Sequence, residues 1–217
     1  PFDHGNFKGR DELLFRWPRT PEETRGELAV YYAVLSHLDA QVGRILKSLE
    51  ETKQLDRTLV VFSSDHGLAI GSHGLRGKQN LYEHSVGVPL IVRGPGIPRG
   101  RRTSAGCYLR DLFPTVCDLC DVPTPAALDG VSLKPVLDGT RERAHDALFA
   151  SFRDTQFMIR ADQWKYIDYP QAQREQLFDL SNDPDELDNL AANPRFQSTK
   201  DALRTRLTAW REARRPR

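Results

Sequence analysis

The chain has 217 residues, enough for one large domain or a domain and a half with a proper core. Hydrophobic residues at 39% and charged residues at 28% give the balance of an ordinary folded protein and exclude a disordered one. The formal net charge is +1 with both signs intermixed, which leaves no electrostatic case for nucleic acid as the main partner, and no apolar run approaches the length of a transmembrane helix.

The chain opens at Pro1 with neither an initiator Met nor a signal sequence, as a piece of a longer polypeptide would, so no cellular address is read from it. Residues 1–19 carry charge and turn formers without a sustained period and read as an irregular lead-in. A long helix is then expected: Thr20 suits the N-cap, Pro21 the first helical position, and Glu23 completes a capping box. Leu28, Tyr31, Leu35, Leu38, Val42, Ile45 and Leu49 form one apolar stripe at helical spacing, ending near Lys53. Residues 58–63 follow as a short run apolar on both faces, the pattern of a buried parallel strand and half of a right-handed βαβ unit. A glycine-rich loop spans 64–86, a second buried strand 88–92, and a turn 94–100 whose glycine spacing does not match a dinucleotide fingerprint.

Residues 109–117 read as an amphipathic helix carrying Cys117 and, with Cys120, a C-x-x-C. A redox pair of that kind would open a helix directly after a strand, so buried apolar cysteines are the favoured reading, and an odd total of three excludes a disulfide framework. From residue 147 the texture changes to four short strands, 147–152, 156–160, 165–169 and 176–180, an antiparallel meander. Asp183-Pro184-Asp185-Glu186 looks like a capping box restarting a helix, and a last helix, about 198–213, puts Leu203, Leu207 and Trp210 on one face to cover the small sheet. The expected domains are therefore 1–146, part of an α/β domain, and 147–217, a sheet-and-helix subdomain.

Chemistry is expected at Ser63-Ser64-Asp65-His66-Gly67, where a buried strand hands over to a glycine-rich loop, because ligands of open α/β sheets gather beyond the carboxyl ends of strands. Asp65 can give a hard oxygen to a divalent cation, and His66 can add a nitrogen or orient a ligand. On spacing alone a second reading stays open, in which Asp65 caps a turn and His66 is half-buried beside it. Thirteen residues on, Lys78 can return toward Asp65 if the loop folds back and neutralise a tetrahedral oxyanion; the alternative is a solvated loop lysine. His73 and His84 read as structural groups, and Glu83 as a loop hydrogen-bonding group.

Together these residues resemble a family. Ser64-Asp65-His66-Gly67, Gly71-Ser72-His73-Gly74, residues 77–86 and Val88-Pro89-Leu90-Ile91-Val92 are similar to the sulfatase family of the alkaline phosphatase superfamily, in its iduronate-sulfatase-like and choline-sulfatase-like bacterial sub-type. The helix with Tyr31-Tyr32-Ala33 and His37-Leu38-Asp39, the Asp111-Leu112-Phe113-Pro114-Thr115 segment, Trp164-Lys165-Tyr166 and Gln176-Leu177-Phe178-Asp179-Leu180 fit the same pattern. The resemblance implies part of an alkaline-phosphatase-like α/β sandwich with a mixed, mostly parallel sheet, plus a small C-terminal antiparallel sheet packed by a helix. It implies a sulfuric ester hydrolase in which Asp65 and His66 hold Ca²⁺ (or Mg²⁺ or Mn²⁺) and Lys78 is catalytic, stabilising charge on the sulfate of a small-molecule or carbohydrate substrate.

The family's nucleophile, a cysteine in C-x-P-x-R that becomes formylglycine, has no match at Cys107, Cys117 or Cys120. It is expected upstream of Pro1, together with two further metal-binding aspartates and the histidine that assists the leaving alcohol, for which His4 is a poor substitute. Alternative readings are a phosphodiesterase or phosphonate monoester hydrolase of the same superfamily, or a non-catalytic relative that binds anions or sugars. The family suggests a periplasmic or secreted location, with a cytoplasmic one possible.

Overall fold

The computed structural model describes residues 2–5, 7–15 and 17–214. The chain divides into two compact units, one built from Asn6–Lys78 and His84–Ile97, the other from Phe2–Gly5, Gln79–Glu83 and Pro98–Arg217. Residues 98–146 thus group with 147–217 in one unit. Bonds at Tyr108 and Arg143 tie 108–145 to the C-terminal sheet, and buried Asp111 ties that segment to itself. The Phe149 N–H donates to the Tyr108 hydroxyl at 2.6 Å. Asp111, fully buried, accepts from Tyr108 N–H at 2.8 Å, Val131 N–H at 3.0 Å and His145 Nε2 at 2.7 Å.

In the first unit a short helix, α1 (Arg10–Leu13), sits inside the stretch expected to be irregular. The long helix α2 (Pro21–Glu51) has the expected start: the Thr20 hydroxyl accepts from Glu23 N–H, and the Glu23 carboxylate accepts from Thr20 N–H. Its end is a Schellman turn, with Lys53 in the left-handed region (φ 56°), Gln54 N–H bonded to Leu49 O and Lys53 N–H to Glu50 O. No residue of α2 is buried, and Leu38 and Ile45 of the apolar stripe stand 46% and 63% exposed. Strands β1 (Val60–Ser63) and β2 (Leu90–Arg93) pair with each other, Val60 opposite Arg93 and Ser63 opposite Leu90. That pairing is antiparallel, so the parallel neighbour inferred for 58–63 from its continuous apolarity is not the partner it has among the described residues. The outward positions Phe62 and Ile91 are also exposed rather than buried.

The one-turn helix α3 (Glu83–Val86) belongs to the first unit from His84 on, and the second unit holds α4 (Leu112–Leu119) and α5 (Lys134–Asp138). The meander follows as expected: β3 (Leu148–Phe152), β4 (Gln156–Ala161), β5 (Trp164–Tyr169) and β6 (Arg174–Asp179), all antiparallel and in sequential order. Helix α6 (Gln197–Glu212) drives Leu203 and Leu207 into a core made with Ile159, Tyr166 and Leu177, and Trp210 stacks on Phe149 at 5.2 Å. Two expectations fail here. Residues 183–186 start no helix: Asp183 accepts from the N–H groups of Leu187 and Asp188, while Glu186 takes a left-handed φ of 58° and turns its carboxylate inward to Lys165 at 2.7 Å. Cys117 is buried as expected, but Cys120 is exposed because it lies just past the last turn of α4; all three thiols are free.

Candidate functional site

Where β1 ends, the backbone is gathered by its own side chains. Asp65 Oδ1 accepts from His66 N–H at 2.9 Å, and Ser64 Oγ donates to His66 O at 2.8 Å. Gly67 N–H then donates to Ser85 O at 2.9 Å. That approach is so close that a Cβ on Gly67 would stand 2.0 Å from the His84 carbonyl oxygen, so this position of the Asp-His-Gly sequence admits only glycine. The Asp65 side chain is 81% exposed. His66 is half-buried, with Nδ1 3.0 Å from the Gly67 carbonyl and Nε2 3.5 Å from Asp65 Oδ2. A proton on Nδ1 shared with that carbonyl leaves the Nε2 lone pair directed to the side of the carboxylate.

The loop beyond folds back on itself. Ala69 N–H donates to Gly77 O, Ile70 N–H to Arg76 O and Gly71 N–H to Leu75 O, three rungs that return the chain toward Leu68. Lys78 is one residue past the first rung. It is half-buried, and among the described residues its ammonium makes no hydrogen bond or ion pair, with Asp65, His66 or any other group. His73 and His84 lie ring to ring at 5.5 Å in the same unit.

What holds this loop was missed in the sequence. Glu12, 2% exposed, accepts from Gly77 N–H at 2.8 Å and from Arg76 N–H at 3.2 Å, and pairs with Arg19 at 2.8 Å. Arg19 also donates to Gly74 O at 2.6 Å and lies over the Trp17 ring. Between 55 and 65 residues separate Arg19 and Glu12 from these loop partners, and the lead-in carries no periodic signal, so no local pattern could have found them.

In the second unit the segment after Lys78 is fastened as firmly. Gln156 donates to Gln79 O at 3.1 Å, and Tyr82 donates its hydroxyl to Gln176 at 2.9 Å. Glu83 accepts from Arg160 at 2.9 Å and from Lys165 at 3.0 Å; Lys165, wholly buried in β5, reaches Glu186 as well. Burial pushes the Glu186 carboxyl up from its ordinary value, against the pull of Lys165. Glu83, read as a loop hydrogen-bonding group, is thus one corner of a buried charge cluster.

As a metal centre the arrangement is partial. Among the described residues no group of three or more His, Cys, Asp or Glu side chains is placed around one point. The Asp65–His66 pair nevertheless fits two positions of a cation's shell: two donors about 2.4 Å from one ion and at right angles stand roughly 3.4 Å apart, close to the separation found. No helix among the described residues is long and apolar enough to cross a membrane.

Comparison with known proteins agrees with the motif. The family model "Sulfatase" matches residues 13–122, and the model "N-sulphoglucosamine sulphohydrolase, C-terminal" matches 71–213. The chain is 38% identical over 201 residues to arylsulfatase K of Gallus gallus, covering 85% of this chain and 37% of that protein. It is 40% identical over 195 residues to choline-sulfatase of Rhizobium meliloti (strain 1021), covering 85% and 38%. Among solved structures, the phosphonate monoester hydrolase of Agrobacterium radiobacter superposes with a TM-score of 0.76 at 30% identity, over 89% of this chain and 43% of that one. A protein solved in complex with its substrate D-glucosamine-2-N,6-O-disulfate superposes with a TM-score of 0.74 at 28% identity, over 84% and 40%. The chain thus spans somewhat over a third of the length of these curated relatives.

Proposed function

The chain belongs to the sulfatase family, with its alkaline-phosphatase-like α/β fold, and from that premise we propose that it supplies one side of the active site of a divalent-metal-dependent sulfuric ester hydrolase. The observation that carries this reading is the Asp65–His66 donor pair at the end of β1, held open to solvent inside the segment that the family model matches.

Asp65 and His66 would hold the metal, Ca²⁺ or Mg²⁺, through a carboxylate oxygen and Nε2. Bound there, the ion would supply positive charge at the ester's oxygens. The part played by the chain's own residues follows from their surroundings. Gly67 lets the backbone pass against His84 O, which fixes the turn that presents both donors. The Gly67 carbonyl orients the imidazole. Lys78, free of any carboxylate among the described residues, presents an ammonium to the negative charge that grows on a tetrahedral sulfate. The substrate in this reading is a sulfated small molecule or carbohydrate, as in the disulfated glucosamine bound by a solved relative. The nucleophile and the leaving-group acid would come from outside residues 1–217.

A second reading has one specific support: the likeness to a phosphonate monoester hydrolase at 30% identity. Sulfate and phosphonate esters are both tetrahedral anions, and nothing in Asp65, His66 or Lys78 separates them. Rates of the full-length protein on nitrophenyl sulfate and on bis-nitrophenyl phosphate test both. We expect chelator-sensitive turnover with the sulfate ester faster; a faster phosphate diester would favour the second reading, and turnover of neither would remove both.

A further inference from the structure

The side chains of Glu12 and Arg19 are 1% and 4% exposed, yet among the described residues neither is bonded to Asp65 or His66. Replacing a buried ion pair by apolar side chains commonly costs no stability, so the pair's partners, rather than its own energy, point to its use. Three of those partners are backbone groups of one loop. Glu12 accepts from Gly77 N–H and Arg76 N–H; Arg19 donates to Gly74 O and, on the other side, to Glu12 O and Phe15 O. The Arg76 side chain adds a third tie, to Glu27 of α2 at 3.0 Å. Gly77 is the residue before Lys78, and its N–H has no rung of the folded-back loop to satisfy it; the rungs use its carbonyl. A buried N–H of that kind needs an acceptor, and Glu12 is the acceptor.

We infer that Glu12, oriented by Arg19, is a positioning residue for Lys78. It fixes the backbone from which the lysine departs and leaves the ammonium unpaired for an anion. This rests on the reading of Lys78 given above. A small displacement of a charge-stabilising group costs rate without costing binding in proportion, so the signature is a fall in kcat with KM little changed.

The test is a double-mutant cycle in the full-length protein, with nitrophenyl sulfate as probe and bound metal measured for each variant. Glu12→Gln keeps the shape but sets an amide N–H₂ against donors. We expect kcat to fall on the order of ten- to a hundredfold, with metal content kept. In a Lys78→Ala background the same substitution should change kcat by less than about twofold, because the group it positions is gone. Equal losses in both backgrounds would make Glu12 a purely structural residue and overturn the inference. So would a wild-type kcat in Glu12→Gln while Lys78→Ala is crippled, an outcome that leaves the Lys78 reading standing. A wild-type kcat in Lys78→Ala would overturn both. Should Glu12→Gln fail to fold, Arg19→Lys, which keeps the charge and loses the reach to Gly74 O, carries the same cycle with the same expected and contrary results.

Discussion

Helices α2 and α6 carry the same kind of apolar stripe, and among the described residues only that of α6 is fully covered. Leu203 and Leu207 of α6 are 5% and 2% exposed against Ile159, Tyr166 and Leu177, whereas the α2 stripe is half-buried at Leu28, Tyr31, Val42 and Leu49 and exposed at Leu35, Leu38 and Ile45. The two units are accordingly held by different forces. The C-terminal unit has a hydrophobic core beneath a four-stranded sheet with a buried charge cluster set into it. The first unit leans on polar ties that run to backbone groups, those of Glu12 and Arg19 above all. A 3.6-residue period therefore says which face of a helix is apolar and nothing about what covers it.

Several substitutions would break or sharpen this contrast. The largest loss should come from Lys165→Met, which strands the buried Glu186 carboxylate and leaves Glu83 with Arg160 alone; about 3–5 kcal/mol in urea melts is expected, and a loss under 1 kcal/mol would show that the cluster is better solvated than its burial implies. Leu207→Ala empties the centre of the core and should cost about 2–5 kcal/mol. In the first unit Thr20→Ala removes a capping box and should cost about 1 kcal/mol, read as lost helicity in the melt. Ile45→Ala, on the bare stripe of α2, should stay within about 0.5 kcal/mol; a core-sized penalty there would show that the stripe is covered in solution.

The contrast has a pH side as well. Burial alone would raise the Glu175 carboxyl, but its hydrogen bonds from Arg204 and Tyr166 outweigh that and leave it below its ordinary value. A carboxyl depressed in the folded state contributes stability above its unfolded pKa and loses it as pH falls through the folded one. Melts recorded from about pH 5 down to about pH 3 should therefore decline more steeply in the wild type than in Glu175→Gln. Parallel curves would assign the acid sensitivity elsewhere.

Local signals carried most of the architecture. The Thr20 and Glu23 box, the stripe of α2, the alternation in the meander and the face of α6 each depend on neighbours within a turn or a strand, and each is found in place. What failed depended on distant partners. Glu186 sits in a good capping pattern but is claimed by Lys165 from another strand, so no helix starts there. For the apolar run 58–63, the partner met among the described residues is antiparallel; composition records burial and does not give strand direction. At the candidate site, position and resemblance single out Asp65, His66 and Lys78 for the roles proposed above. Glu12 and Arg19 were not legible, since their role is to satisfy backbone groups more than fifty residues away.

The most direct test is to measure metal content and kcat side by side for Asp65→Ala and Lys78→Ala in the full-length protein. Asp65 supplies an oxygen to the ion in this reading, so its loss should lower metal affinity and activity together. Lys78 acts on substrate charge, so its loss should leave the metal in place while kcat falls by a factor on the order of hundreds or more. Equal loss of metal in both variants, or full metal in both, would contradict the division of roles between the end of β1 and the loop that returns to it.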